Sequence, residues 1–128
     1  MQTLVKLALV LLISTQAFGK SEGVSKPQFP GGDKALVDYL TKTIVYPAEA
    51  QKQKWEGKTL VAFTVNEDGT VGNVHVVKSS WNLLDNEAIR IVKLMPKWIP
   101  ASTDGVNKKE MVILPVTFDL SRKDLLYK

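Results

Sequence analysis

His75 is the single histidine of this 128-residue chain, and there is no cysteine. A serine nucleophile needs an adjacent base that a third group orients, and His75 is the one imidazole available for that role. It stands between Val74 and Val76 in a stretch that alternates like a strand. A metal site would have to be completed by carboxylates alone. The reading is therefore a structural or solvent-facing histidine. Glu67 and Asp68 are neighbouring carboxylates, the residue type that general acid–base chemistry uses. They lie in Asn66-Glu67-Asp68-Gly69-Thr70, where Asn, Asp and Gly form a turn. Pro30-Gly31-Gly32 lacks the preceding strand and the lysine of a phosphate cradle. Trp55, Trp81 and Trp98 would offer stacking platforms for a glycan, but indoles at such separations more commonly pack at a core and its rim. No catalytic constellation emerges. The expectation is a protein that is not an enzyme and uses no metal and no small-molecule cofactor.

The elements around these residues follow from periodicity and turn chemistry. After the Pro30-Gly31-Gly32 turn, Asp33 is placed to cap a helix. Ala35, Leu36, Tyr39 and Leu40 form its apolar face, and it ends near Lys42 or Thr43. Pro47 suits the first turn of a second, short helix, which runs to Lys54 and is stopped by Gly57. Lys58 to Val65 reads as a strand, with Val61, Phe63 and Val65 on one face. Asp68-Gly69 marks a hairpin, and Val71 to Lys78 is the return strand. Asn82 and Asp85 resemble a capping pair for a helix whose inner face holds Leu84, Ala88, Ile91 and Met95. On that helix Glu87, Arg90 and Lys93 are left outward. Pro96 ends the helix. Ala101 to Lys109 reads as a polar loop. In the last strand, Glu110 to Leu120, residues Val112, Leu114, Val116, Phe118 and Leu120 share one face. The fold class is α+β: a small two-layer sandwich with a three-stranded antiparallel-type sheet, built from a hairpin plus a crossover strand, and helices on one face. The crossover is expected to lay the third strand beside the first.

Charge and length bound the rest. The net charge is +4. Signs are interspersed, with no basic stripe or nucleic-acid motif, so no nucleic-acid partner is expected. Lys6, the apolar run Leu7 to Ile13, and Ala17 and Gly19 three and one residues before a cut have the layout of a signal peptide over residues 1–19. The alternative is an uncleaved inner-membrane anchor over residues 4–18. The remaining length suits one domain, with a lead-in at 20–29 that reads as flexible, a domain at 30–120 and a tail at 121–128. Cleavage would place the protein in the periplasm.

Pro115 removes a ladder donor, so its strand belongs at a sheet edge or a bulge. An open edge is a template for another extended chain.

Five segments then occur in order: Tyr46-Pro47-Ala48-Glu49-Ala50, Glu56-Gly57, the strand pair around Asp68-Gly69, Met95-Pro96-Lys97-Trp98-Ile99-Pro100, and Leu114-Pro115-Val116-Thr117-Phe118-Asp119-Leu120. Together they resemble the C-terminal domain of TonB energy transducers. The similarity is to the Bacteroidetes-type form, with Pro30-Gly31-Gly32 before the first helix, and it covers about Phe29 to Leu120. The resemblance implies a periplasmic module that takes the TonB box of an outer-membrane receptor as an added strand. The partner-binding edge would be Glu110, Met111, Val112, Ile113, Leu114, Val116 and Thr117, mostly through backbone. Thr43, Tyr46 and Pro47 would form the second contact region; some members carry Gln where this chain has Thr43. Partners would be a TonB-dependent receptor or another envelope protein, with a homodimer through the same edge as a further state. A lead-in of about ten residues spans roughly 35 Å when extended, far less than a periplasm. The expectation is a stand-alone secreted domain in place of a complete transducer. The other readings are an envelope assembly module and a small cell-wall glycan binder using Trp55 or Trp98.

Overall fold

Strand β1 (Val24–Ser25) is followed by helices α1 (Asp33–Thr43) and α2 (Ala48–Gln53), then strands β2 (Gly57–Val65) and β3 (Val71–Lys78). Helix α3 (Asn82–Lys93) leads to strands β4 (Ala101–Thr103), β5 (Val106–Lys108) and β6 (Glu110–Phe118). The computed structural model describes residues 23–121. The expected signal peptide at 1–19 and the tail from residue 122 lie outside them.

Two antiparallel sheets form. The larger has the order β3-β2-β6, and the smaller has the order β1-β4-β5. In the larger sheet α3 carries the chain across, so β6 lies beside β2 as the crossover reading requires. β2 and β6 pair residue for residue from Gly57↔Phe118 to Val65↔Glu110, without a shift. Between β2 and β3 the register shifts twice, each time with an extra residue on β3. Asn73, in the stretch of one shift, takes a left-handed φ of 50°, a conformation Asn tolerates better than most residues.

Period-two alternation puts Val61, Phe63 and Val65 of β2 and Leu114, Val116 and Phe118 of β6 on one buried face. They form one cluster with Leu84, Ala88, Ile91 and Val92 of α3, and Leu36, Tyr39 and Leu40 of α1 pack against it. Each such large side chain contributes roughly 1.5–3 kcal/mol by leaving water. Trp98 closes the end of this core. It meets Phe29 edge-on at 5.6 Å and Phe63 at 5.3 Å between ring centroids. Its backbone N–H donates to Gly69 O (2.8 Å), which ties the β2–β3 turn to the segment after α3. Gly69 has φ 87°, and a Cβ there would sit 2.2 Å from Trp98 O.

Several local readings differ from the structure. Gly32, with Asp33 after it, is the N-cap residue of α1, and no side chain caps the helix; Asp33 contributes only its charge to the first turn. Helix α2 ends at Lys54, which is left-handed at φ 58°, while Gly57 opens β2. Its missing side chain leaves room for Ser80 Cβ, which a Cβ would approach to 2.9 Å. At α3 the N-cap is Trp81, without a side-chain bond. Asp85 reaches back instead, accepting from Ser79 Oγ and from the Ser80 N–H (3.0 Å). Glu87 is buried, not outward.

The segment read as a polar loop is a second hairpin. Asp104 and Gly105 have φ 51° and 82°, the doubly left-handed pattern of tight hairpin turns, and β4 pairs β5 around them. The lead-in is also tied down from Val24 onward. Val24 pairs Thr103, Ser25 pairs Ser102, and Gln28 exchanges backbone hydrogen bonds with Ile99 at 2.9 and 2.8 Å.

Candidate functional site: the free edge of β6

β6 pairs with β2 on one side, and among the described residues no strand pairs with its other side. The phase of the ladder decides which backbone groups face that open edge. Across the first hairpin Asn66 N–H donates to Thr70 O (2.9 Å). Residues bonded to one neighbour alternate with residues bonded to the other. Counting back along β2, Thr64, Ala62 and Leu60 face β3, whereas Val65, Phe63, Val61, Thr59 and Gly57 face β6. Their partners Glu110, Val112, Leu114, Val116 and Phe118 therefore bond inward. Met111, Ile113, Pro115 and Thr117 turn their backbone groups outward, and Pro115 has no N–H to offer. This phase leaves the β2–β6 ladder intact at the proline.

Beside the edge lies a cleft of about 160 Å³ lined by Val37, Leu40, Thr41 and Ile44 of α1 and its end, and by Pro115, Val116 and Thr117 of β6. Val37 is 58% exposed. Val37, Thr41 and Ile44 recur at helical spacing beside the core stripe of Leu36, Tyr39 and Leu40. That second stripe was the available signal for the wall of the cleft, and the core-facing pattern hid it.

The α1–α2 link that forms this wall is held by a charge pair on α3. Glu87 Oε2 accepts from the Val45 N–H (2.7 Å). Arg90 grips both carboxylate oxygens of Glu87 at 2.7 Å, and its Nη2 donates to Thr43 O (3.1 Å). The hydrogen bonds from Arg90 to Glu87 raise the guanidinium pKa further. Neither residue stood out in the sequence, because a Glu and an Arg three residues apart on a helix are a common surface pair.

The expected site residues divide. Thr117 and Val116 lie at the cleft. Met111 (56% exposed) and Ile113 (51%) present backbone to the open edge and side chains to the outer sheet face. Glu110, Val112 and Leu114 belong to the inward-bonded set. Thr43 offers its carbonyl to Arg90. Tyr46 is a core residue: its ring meets Phe118 edge-on at 5.5 Å and its hydroxyl donates to Trp55 O (2.5 Å). Burial, then the charges of Glu56 and Asp119, push its pKa up to about 12. Pro47 precedes α2 as its N-cap residue. The Tyr-Pro motif thus anchors the link from behind, while Thr41 and Ile44 reach the cleft.

The remaining candidates have structural settings. His75 is exposed, with Nδ1 2.9 Å from Asn73 O. Among the described residues no group of three or more His, Cys, Asp or Glu is placed to hold a metal. Asp68 accepts from Thr70 Oγ1 (2.6 Å) and the Thr70 N–H (3.0 Å), and these bonds lower its pKa. Trp55 and Trp81 stack on each other at 4.7 Å and 7°, and Trp81 Nε1 donates to Glu56 O (3.1 Å). Trp98 is buried, and its Nε1–H has no acceptor among the described residues.

The fold is thus a small two-layer α+β sandwich, and the β6 edge of its larger sheet is the one flanked by the cleft. The family model described as Gram-negative bacterial TonB protein C-terminal matches residues 42–120, more than half of the chain. The chain belongs to the TonB C-terminal domain family. Among curated relatives, Protein TonB of Helicobacter pylori is 34% identical over 76 residues, which is 59% of this chain and 26% of that protein. Protein TonB of Campylobacter coli is 24% identical over 89 residues, 69% of this chain and 37% of that protein. The chain thus spans about a quarter to a third of these relatives. The solution structure of H. pylori TonB-CTD, residues 194–285 of that protein, superposes with a TM-score of 0.53 at 26% identity. It covers 70% of this chain and 94% of that one.

Proposed function

We propose that this domain is a non-enzymatic periplasmic module that binds an extended segment, the TonB box of an outer-membrane receptor, by adding it as a strand to β6. The observation that supports this most directly is the row of outward backbone groups at Met111, Ile113, Pro115 and Thr117 beside the cleft. A strand laid there gains N–H donors from Met111, Ile113 and Thr117 and carbonyl acceptors from these residues and Pro115. Each such bond nets about 0.5–1.5 kcal/mol. Ordering a free peptide and losing its translational freedom costs about 4–15 kcal/mol. The balance predicts weak, reversible capture, which suits a partner that must be released. The apolar lining from Val37, Leu40 and Ile44 would take alternate side chains of the added strand, since these point to opposite faces. Among the described residues no helix is long and apolar enough to cross a membrane.

The test is an isotope-labelled NMR titration of the chain with extended TonB-box peptides. Amide shifts at Met111, Ile113 and Thr117, with further shifts around Thr41 to Ile44, are the expected result. A folded domain with no shifts at millimolar peptide would overturn the reading.

A further inference from the structure

The open edge carries a feature that strand addition does not need. Its outward residues are Met111, Ile113, Pro115 and Thr117, and the proline removes one donor from the middle of the row. Met111 and Ile113 are also exposed apolar residues on the same strand. An unpaired edge strand with exposed apolar residues is a template for pairing with its own copy. The two kinds of pairing do not suffer equally from the proline. A foreign strand, parallel or antiparallel, meets one Pro115, and one of its carbonyls finds no donor. Two copies joined through β6 bring two prolines. In any register that covers both, two carbonyls find no donor, whether Pro115 faces Pro115 or each faces Ile113 or Thr117 of the other copy. Moving the register away from both prolines leaves only Met111 and Ile113, or Thr117 alone, to pair. The homotypic edge therefore loses twice what the heterotypic edge loses.

We infer that Pro115 is a specificity residue of the β6 edge, which tilts it away from pairing with a second copy and toward a foreign extended strand. This rests on reading β6 as a binding edge. Its position is permissive for the role: the side chain is exposed and the ladder to β2 does not use its nitrogen. Replacement by a residue with an N–H restores the missing donor without removing an inward bond.

The test uses the full chain with Pro115→Val, and Pro115→Ala in case the β-branched residue disturbs the cleft. Sedimentation over a concentration series should show tighter self-association than wild type by about 25-fold, two restored bonds at about fivefold each, and affinity for a TonB-box peptide should rise about fivefold. In the variant monomer, amide exchange at residue 115 should be fast while Leu114 and Val116 stay protected. A protected amide at 115 in the monomer would overturn the inference, because the nitrogen would then face β2. So would unchanged self-association in both variants. If wild type binds peptide at β6 and the variants neither bind it better nor self-associate, the inference fails and the proposed function stands. If no form binds peptide, the proposed function fails, and the self-association and exchange measurements still decide the role of Pro115.

Discussion

Replacing Gly69 by Ala should unfold the domain far more readily than the same change at Gly105. Both glycines are left-handed, at φ 87° and 82°, so both substitutions incur the cost of that conformation, about 1–2 kcal/mol. Around Gly105 nothing lies within 4 Å of an added Cβ, whereas at Gly69 the Cβ would be 2.2 Å from Trp98 O and 3.3 Å from its carbonyl carbon. Those are backbone atoms, so no side-chain rotation relieves the overlap. The turn and the Trp98 segment must separate. That breaks the Trp98 N–H to Gly69 O bond of 2.8 Å, about 1 kcal/mol net. It also disturbs the ring contacts of Trp98 with Phe29 and Phe63, about 0.5–1.5 kcal/mol each. The extra destabilisation of Gly69→Ala over Gly105→Ala is thus about 2–4 kcal/mol. For a domain of this size each kcal/mol moves Tm by about 4–8 °C, so the two variants should differ by roughly 10–30 °C. Thermal unfolding followed by circular dichroism reads this directly, with tryptophan fluorescence as a second probe. Equal losses in both variants would refute the reasoning, because they would show that the turn does not lock onto Trp98.

Val37→Asp should leave the unfolding free energy within about 0.5 kcal/mol of wild type, as for most exposed substitutions, yet abolish peptide shifts in the titration by placing a charge in the cleft; unimpaired binding would mean that the cleft is not used. Asp85 is held ionised: burial acts against the charge, but hydrogen bonds from Ser79, Ser80 and Thr59 outweigh it and lower its pKa. Its folded pKa lies below the unfolded value, so its contribution is present above about pH 4 and fades as pH falls through the folded value; Asp85→Asn should be less stable at neutral pH and show a flatter acid slope in urea melts. Tyr46, with its folded pKa at about 12, favours the folded state fully below about pH 10, and that contribution is lost as pH rises from there through 12. Burial raises the Tyr39 pKa as well, so absorbance titration of the phenols should find late tyrosinates, one of which disappears in Tyr46→Phe, and a normal titration for all tyrosines would contradict the burial of Tyr46.

What could be read along the chain was what short-range chemistry controls. The alternation in Val61, Phe63 and Val65 and in Leu114, Val116 and Phe118 located β2 and β6, because period two is a property of the strand itself. Pro96 marked the end of α3, and Pro115 marked an edge strand, because proline's missing donor and ring act on the residue that carries them and its neighbours. The five motifs carried the family. Asp104-Gly105 was an equally local signal for a second hairpin, and the polar residues around it obscured it. Other features depended on partners far away in sequence. Val24 and Ser25 became a strand only because Thr103 and Ser102 offered an edge. Glu87 moved from an outward position to a buried one because Val45 N–H and Arg90 compensate its charge, and an unpaired carboxylate would not be buried there. Tyr46 read as a contact residue by its motif, but Trp55 O and Phe118 draw it into the core. The ladder phase that turns Met111, Ile113, Pro115 and Thr117 outward accords with Pro115, whose missing donor cannot serve the β2 ladder, but it is not fixed within β6. It is set by the Asn66–Thr70 turn and carried through β2, so the sequence by itself determined that the last strand is an edge, and only the tertiary structure decided which of its backbone groups are open to a partner and that α1 stands beside them.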